Sequence, residues 1–175
     1  ILTLGDGQQI SVTKHDTLVM TKNGMLLNIV NGNLSYETQN NTPDSLIYNE
    51  LNIPLGGECV IDLDDGTKVW LNSATKLKYP VRFDKDYREV FLEGEAYFDV
   101  NKDKRPFIVN FTSGRIQVLG TEFGIRSYED DSCHYATLVE GLVHIYTKEG
   151  DSLEILPGEQ AMISPNEFTK RKVQV

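Results

Sequence analysis

Three acids crowd one turn, Asp62, Asp64 and Asp65, with Gly66 behind them. Carboxylates at alternate positions ahead of a glycine open an EF-hand calcium loop, which also needs a bidentate Glu about six residues past the glycine. Here the chain runs instead into Lys68-Val69-Trp70, so the pattern predicts a plain turn with Asp62 facing Lys68 across a hairpin. Glu93 and Glu95 form a second acidic pair. Alternate strand residues point the same way about 7 Å apart, inside the range that glycosidases use. Every i, i+2 pair of acids on a strand shares that spacing, however. Gly94 between them predicts broken strand geometry, and a solvated rim is the better reading.

His15, His134 and His144 show no H-E-x-x-H or H-x-H spacing, so surface or satisfied core positions are expected. Ser73, Ser113 and Ser132 lack a G-x-S-x-G elbow. Cys133 has only the adjacent His134, which on a strand points to the opposite face. Cys59 and Cys133 are too few and too far apart for a zinc site or a redox Cys-x-x-Cys. They are compatible with a disulfide in an exporting compartment, and equally with Cys59 as a small buried thiol. The residues therefore predict no catalytic set, no metal and no cofactor.

The elements that carry these residues read as strand after strand. Lys68 to Leu71, Arg88 to Leu92 and Ala96 to Val100 are short runs of β-branched and aromatic residues bounded by Asp-Gly, Tyr-Pro, Glu-Gly and Arg-Pro breakers. Hairpins recur in one frame. Three-residue loops ending in a left-handed glycine, at Gly5-Asp6-Gly7, Lys22-Asn23-Gly24, Asp64-Asp65-Gly66 and Lys148-Glu149-Gly150, set Leu2 opposite Ile10, Val19 opposite Leu27, Ile61 opposite Val69 and Ile145 opposite Leu153. Each puts an apolar pair in register. A two-residue loop at Asp65-Gly66 would set Asp62 against Val69 instead. Glu37 to Asp44 holds no apolar residue and predicts a loop. Leu92-Glu93-Gly94-Glu95-Ala96 is echoed by Val139-Glu140-Gly141-Leu142-Val143, which suggests a sheet folded around itself as a barrel, a sandwich or a solenoid. On the central strands, if Val90, Leu92, Phe98 and Val100 face inward, then Phe91 and Tyr97 remain outside as a contact patch.

The chain has 175 residues, 39% of them hydrophobic, a size for one compact domain with or without an appended segment. No apolar run approaches the roughly 18 residues of a membrane span. The opening at Ile1, with neither Met nor a basic stretch, predicts a processed or truncated start. Lys and Arg total 17 against 26 Asp and Glu. The net charge of −9 disfavours a phosphate backbone as partner, and the basic run Lys170-Arg171-Lys172 has no aromatic platform beside it.

A series of motifs adds a resemblance. Asp65-Gly66-Thr67, Trp70-Leu71-Asn72, Tyr79-Pro80, Gly94-Glu95-Ala96 with Phe98, Pro106-Phe107, Gly120-Thr121 with Phe123, Gly141, and Pro157-Gly158 fall in one order. In that order they resemble the extracytoplasmic domain of FecR-type transmembrane anti-sigma factors, in a Bacteroidetes-like form. One departure is Gly124, where members of the family often carry Asn. The resemblance implies a twisted β-solenoid and tips the fold to an all-β, solenoid- or sandwich-like stack of short strands and hairpins. It divides the chain into an N-terminal hairpin segment over residues 1–55, a FecR-type β domain over 56–165, and a linker over 166–175 toward a C-terminal domain outside the chain.

By the same resemblance the protein is not an enzyme. It is expected as the periplasmic part of a single-pass inner-membrane protein, relaying a signal from a TonB-dependent outer-membrane transporter to a cytoplasmic sigma factor. Both partners would be met through parts outside this chain. The alternative is an extracellular carbohydrate-binding β module, which needs an exposed aromatic platform with polar groups in a shallow groove.

Overall fold

The computed structural model describes residues 1–12, 17–20, 26–37 and 46–175, and these form no helix. Eighteen strands follow in chain order. The first six are β1 (Leu2–Thr3), β2 (Gln9–Ile10), β3 (Thr17–Met20), β4 (Leu26–Val30), β5 (Asn33–Glu37) and β6 (Tyr48–Asn52). The next six are β7 (Cys59–Asp62), β8 (Lys68–Leu71), β9 (Lys76–Pro80), β10 (Arg88–Asp99), β11 (Phe107–Phe111) and β12 (Gly114–Val118). The last six are β13 (Glu122–Ser127), β14 (His134–Glu140), β15 (Val143–Thr147), β16 (Ser152–Ile155), β17 (Glu159–Ser164) and β18 (Glu167–Lys172).

All eighteen belong to one sheet that folds over at β10. The N-terminal half of β10 pairs with β9 and β11, within a half-sheet ordered β2-β1-β6-β9-β10-β11-β12-β15-β16. Its C-terminal half pairs with β8 and β13, within a second half-sheet ordered β3-β4-β5-β7-β8-β10-β13-β14-β17-β18. The two halves enclose a single apolar core. Alternation along β10 supplies both, since Val90, Leu92, Ala96 and Phe98 point inward throughout. Phe98 of the second half-sheet stacks on Phe123 at 5.2 Å and meets Phe107 of the first edge-on at 6.1 Å. A polar tie crosses the same core, where Asn49 donates to the Tyr36 hydroxyl at 2.8 Å and the Tyr36 and Tyr79 hydroxyls lie 2.6 Å apart. Burial pushes the Tyr36 phenol up to about 12.

The hairpin registers follow the apolar pairing, with Leu2 opposite Ile10, Val19 opposite Leu27, Ile61 opposite Val69 and Ile145 opposite Leu153. Gly7, Gly66 and Gly150 have φ of 84°, 83° and 97°, as the bulge position of such loops requires. The loop at Lys22-Asn23-Gly24, His15 and most of the polar stretch to Asp44 lie outside the described residues.

Two expectations change. The runs Arg88 to Leu92 and Ala96 to Asp99 are one strand, β10, bent at Gly94 rather than broken there, and Val100 lies just past its end. Hydrogen bonds continue on both sides, because Glu93 pairs with Lys76 of one half-sheet and Gly94 with Ser127 of the other. Within the segment 166–175, residues Glu167–Lys172 form β18 along the whole of β17. Phe168 packs on the core and Lys170 reaches Glu159 at 2.9 Å, which holds this polar run as a strand.

Strand directions set the connections at two ends. The turns after β7, β10, β12, β14 and β16 share one end, where chain segments far apart in sequence meet.

Candidate functional site

The motif residues converge on that end. Asp65 accepts the Thr67 amide at 3.0 Å and the Thr67 hydroxyl at 2.7 Å, closing the turn after β7 on itself. The Thr67 hydroxyl accepts the amide of Asn101 at 3.1 Å, and Asn101 returns its side-chain amide to the Asp65 carbonyl at 2.7 Å. Into this turn comes Arg88, fully buried, pairing with Asp65 at 2.6 Å. Its other N–H groups go to the carbonyls of Asn101, Arg105 and Leu119. Its guanidinium lies over Phe107, 5.3 Å from the ring centroid, and its amide bonds the carbonyl of Pro106. Thus Asp65, Thr67, Pro106 and Phe107 act together around a residue that the motif reading left out.

Gly66 sits at the tip of this turn with φ +83°, where a Cβ would lie 3.4 Å from the Asn101 amide nitrogen. Gly66→Val should therefore cost on the order of 1–3 kcal/mol, since a β-branched residue tolerates that conformation poorly. A urea unfolding curve checks this, and an unchanged midpoint would refute it.

Most of the remaining motif residues hold corners and core, while Trp70, Asn72 and Glu95 face outward on the second half-sheet. Leu71, Ala96, Phe98 and Phe123 are buried. Gly94 and Gly141 have φ of +114° and +98° and stand where the chain passes between half-sheets, each against a threonine hydroxyl, of Thr75 and Thr121. Gly120 abuts Lys102 so closely that it leaves no room for a Cβ. Gly158, after Pro157, has φ +78° and joins Leu138 to Val173 through backbone hydrogen bonds.

The acids that could do chemistry are each engaged separately. Asp62 pairs with Lys68 at 2.8 Å, Asp64 accepts the amide of Phe83 at 3.3 Å, and Asp65 belongs to Arg88. Glu93 pairs with Lys76 at 3.1 Å on one half-sheet, while Glu95 takes Arg126 at 3.3 Å on the other. Among the described residues no group of three His, Cys, Asp or Glu side chains is placed to hold a metal ion. His134 is buried edge-on to Phe111, and desolvation holds its imidazole below the ordinary value. His144 is half-exposed beside Glu154. Cys59 and Cys133 are both free thiols, and burial pushes Cys59 up to about 11.

The outer faces carry the aromatics, and Phe91 and Tyr97 do not share one patch. Phe91, 40% exposed, meets Tyr48 at 6.2 Å on the first half-sheet with the Lys78 ammonium over both rings. Tyr97 lies beyond the Gly94 bend on the second half-sheet, 5.8 Å from Trp70. There the outer face forms a groove of about 560 Å³ lined by Trp70, Tyr97, Asn72, Glu95, Arg126 and Arg171, among others. Gly124 lies mid-strand opposite Tyr97 inside this groove. Alternation along β8, β10 and β13 is the signal that assembles it, but strand order is needed to see which alternating residues become neighbours.

The sequence profile described as FecR protein matches residues 49–144. Two crystal structures from Parabacteroides distasonis ATCC 8503, each described as a candidate anti-sigma factor, are similar in fold and sequence. One is 32% identical with a TM-score of 0.69 over 72% of this chain and 60% of that one. The other is 33% identical with a TM-score of 0.68 over 71% and 59%. This chain thus spans about three fifths of the length of each. No curated protein matches.

Proposed function

We propose, for a chain that belongs to the FecR protein family, that it is the extracytoplasmic signalling module of an anti-sigma factor. In this reading it stands in the periplasm as part of a single-pass inner-membrane protein. It relays the state of a TonB-dependent outer-membrane transporter toward a cytoplasmic sigma factor. No helix among the described residues is long and apolar enough to cross a membrane, so the anchor and the sigma-binding part would belong to other segments. The role is regulatory and needs no catalysis.

The observation that carries this reading is how the motif residues are used. Most of them fasten turns and corners around one continuous core, and the acids among them have side-chain partners within the fold. Such a module offers surfaces and mechanical continuity between its ends. We take it as a spacer and transmitter, with residues 56–165 as its body, residues 1–55 packed on it, and the segment after Pro157 leading toward the transporter-contacting part.

A binding titration tests this, using the plug-side signalling domain of the transporter against this chain and against a version extended to the length of the solved relatives. Binding is expected for the extended version alone, unaffected by replacing Phe91 or Tyr97. Submicromolar binding to this chain by itself, lost on either replacement, would make an outer face the receptor site and overturn the spacer role.

A further inference from the structure

The outward-facing side chains of the groove on the second half-sheet, Trp70, Tyr97, Glu95, Arg126, Gln160 and Arg171 among them, belong to neither the buried core nor the Arg88 cluster. Its floor is the Trp70–Tyr97 pair, whose rings stand at 65° to one another. Trp70 is 39% exposed, which leaves ring surface open to a third group. Gly124, opposite Tyr97, keeps that floor clear, since a Cβ there would touch only Tyr97 Cδ2, at an ordinary 3.7 Å. The Tyr97 hydroxyl is fixed on Glu122 at 2.6 Å, so the ring is held in place.

Two sets of planar hydrogen-bonding groups flank this floor. On one side Glu95 takes both the Asn72 amide and the Arg126 guanidinium at 3.3 Å, and Arg126 also reaches Asp131 at 3.1 Å. On the other, Arg171 donates twice to the Gln160 carbonyl at 3.1 and 2.8 Å, and Gln160 donates to Thr137 at 2.8 Å. These side chains are oriented before any ligand arrives, and each retains donors or acceptors for a further partner. Lining charges cancel, with Glu58 and Glu95 against Arg126 and Arg171, although the chain as a whole carries −9. Electrostatic complementarity therefore selects a neutral ligand. Aliphatic surface is scarce, because Leu71, Ala96 and Ile125 bury their side chains in the core below.

We propose that this groove binds a neutral oligosaccharide, one sugar ring lying on the Trp70–Tyr97 floor with its hydroxyls on the Glu95 cluster and a neighbouring sugar reaching the Gln160 cluster three strands away. A pyranose has an apolar C–H face for an aromatic ring and hydroxyls that both donate and accept, which matches planar amide, carboxylate and guanidinium groups in a cleft of this volume. The inference is independent of the signalling role and stands or falls on this face alone.

Trp70 is the only tryptophan of the chain, so intrinsic fluorescence reports on the groove directly. The probes are hexasaccharides of α-1,4-glucose, β-1,4-glucose, xylose, mannose and N-acetylglucosamine, titrated into the whole chain and repeated by calorimetry. At least one is expected to bind saturably and shift the Trp70 emission. Tyr97→Ala, Gly124→Leu and the exposed rim variant Arg126→Ala should each weaken binding at least about tenfold, by loss of stacking, occlusion and loss of a hydrogen-bonding clamp. Phe91→Ala, on the other half-sheet, should leave it unchanged, and unfolding midpoints identify any variant that fails to fold. No saturable binding by any of the five, or binding indifferent to Arg126→Ala and Gly124→Leu, overturns the assignment. So does a Tyr97-dependent quench of Trp70 by the transporter's signalling domain, which would make the groove a protein site.

Discussion

Replacing Arg88 with methionine is expected to cost about 3–5 kcal/mol of stability, the range for leaving one member of a buried ion pair without its partner. Asp65, whose side chain is 3% exposed, would be left with only the amide and hydroxyl of Thr67 as hydrogen-bond donors to its carboxylate. The loss reaches further than one pair. The five N–H groups of Arg88 are all used, one on Asp65, one on Asn101, two on Arg105 and one on Leu119. They tie the turn after β7, the connection after β10 and the turn after β12 to the first residue of β10. Arg88→Lys therefore separates charge from geometry. An ammonium keeps the cation but offers three donors to four acceptors, so at least one buried acceptor goes unpaired, at a cost of about 1–3 kcal/mol. Chemical denaturation of Arg88→Met, Arg88→Lys, Asp65→Asn and the corresponding double variants gives the coupling directly. A lysine variant as stable as the native chain would show that charge alone matters and that the fork is dispensable.

Arg88 shows where the sequence is legible and where it is not. Its place in the alternation is visible, since it falls in phase with Val90 and Leu92 on the inward side of β10. What sequence does not display is the compensation for its charge. Three of its four acceptors are backbone carbonyls, which any residue has, and Asp65 is 23 positions away behind a turn that already accounts for an aspartate. The hairpins are legible for the opposite reason: a glycine loop and an apolar pair a few residues apart determine register locally, as Ile61 opposite Val69 illustrates. Alternation places Phe91 and Tyr97 on the outside of one strand, yet whether they form one patch depends on where that strand turns. The groove around Trp70 is hardest of all to foresee, because it needs the order β7-β8-β10-β13-β14-β17-β18, and that order is set by long-range pairing.

Gly94→Ala is expected to be strongly destabilising, because the bend that separates the two half-sheets has neither the backbone freedom nor the space for a methyl group. At φ +114° an L-residue is strained by about 1–3 kcal/mol. The new Cβ would also lie 2.5 Å from the Thr75 hydroxyl oxygen and 2.8 Å from the Thr75 α-carbon, an overpacking of similar cost. Thr75 has no room to withdraw. Its hydroxyl accepts the amide of Glu95 at 2.9 Å and donates to the Glu95 carbonyl at 3.1 Å, bracing the residue immediately after the bend. The same device recurs at Gly141, where the Thr121 hydroxyl donates to the carbonyl of Leu142, again the residue after the glycine, at 3.2 Å. The echo between the two Glu-Gly segments is thus a repeated corner, a glycine that turns the chain from one half-sheet to the other with a threonine hydroxyl supporting the next carbonyl. A total loss of about 2–4 kcal/mol follows for Gly94→Ala. Thr75→Ala in the same chain should recover little of it, because the crowding against the Thr75 backbone and the positive φ both persist. The measurement is the unfolding free energy of the two single variants and their combination. Full rescue by Thr75→Ala would mean that side-chain crowding, not backbone conformation, demands glycine at the bend.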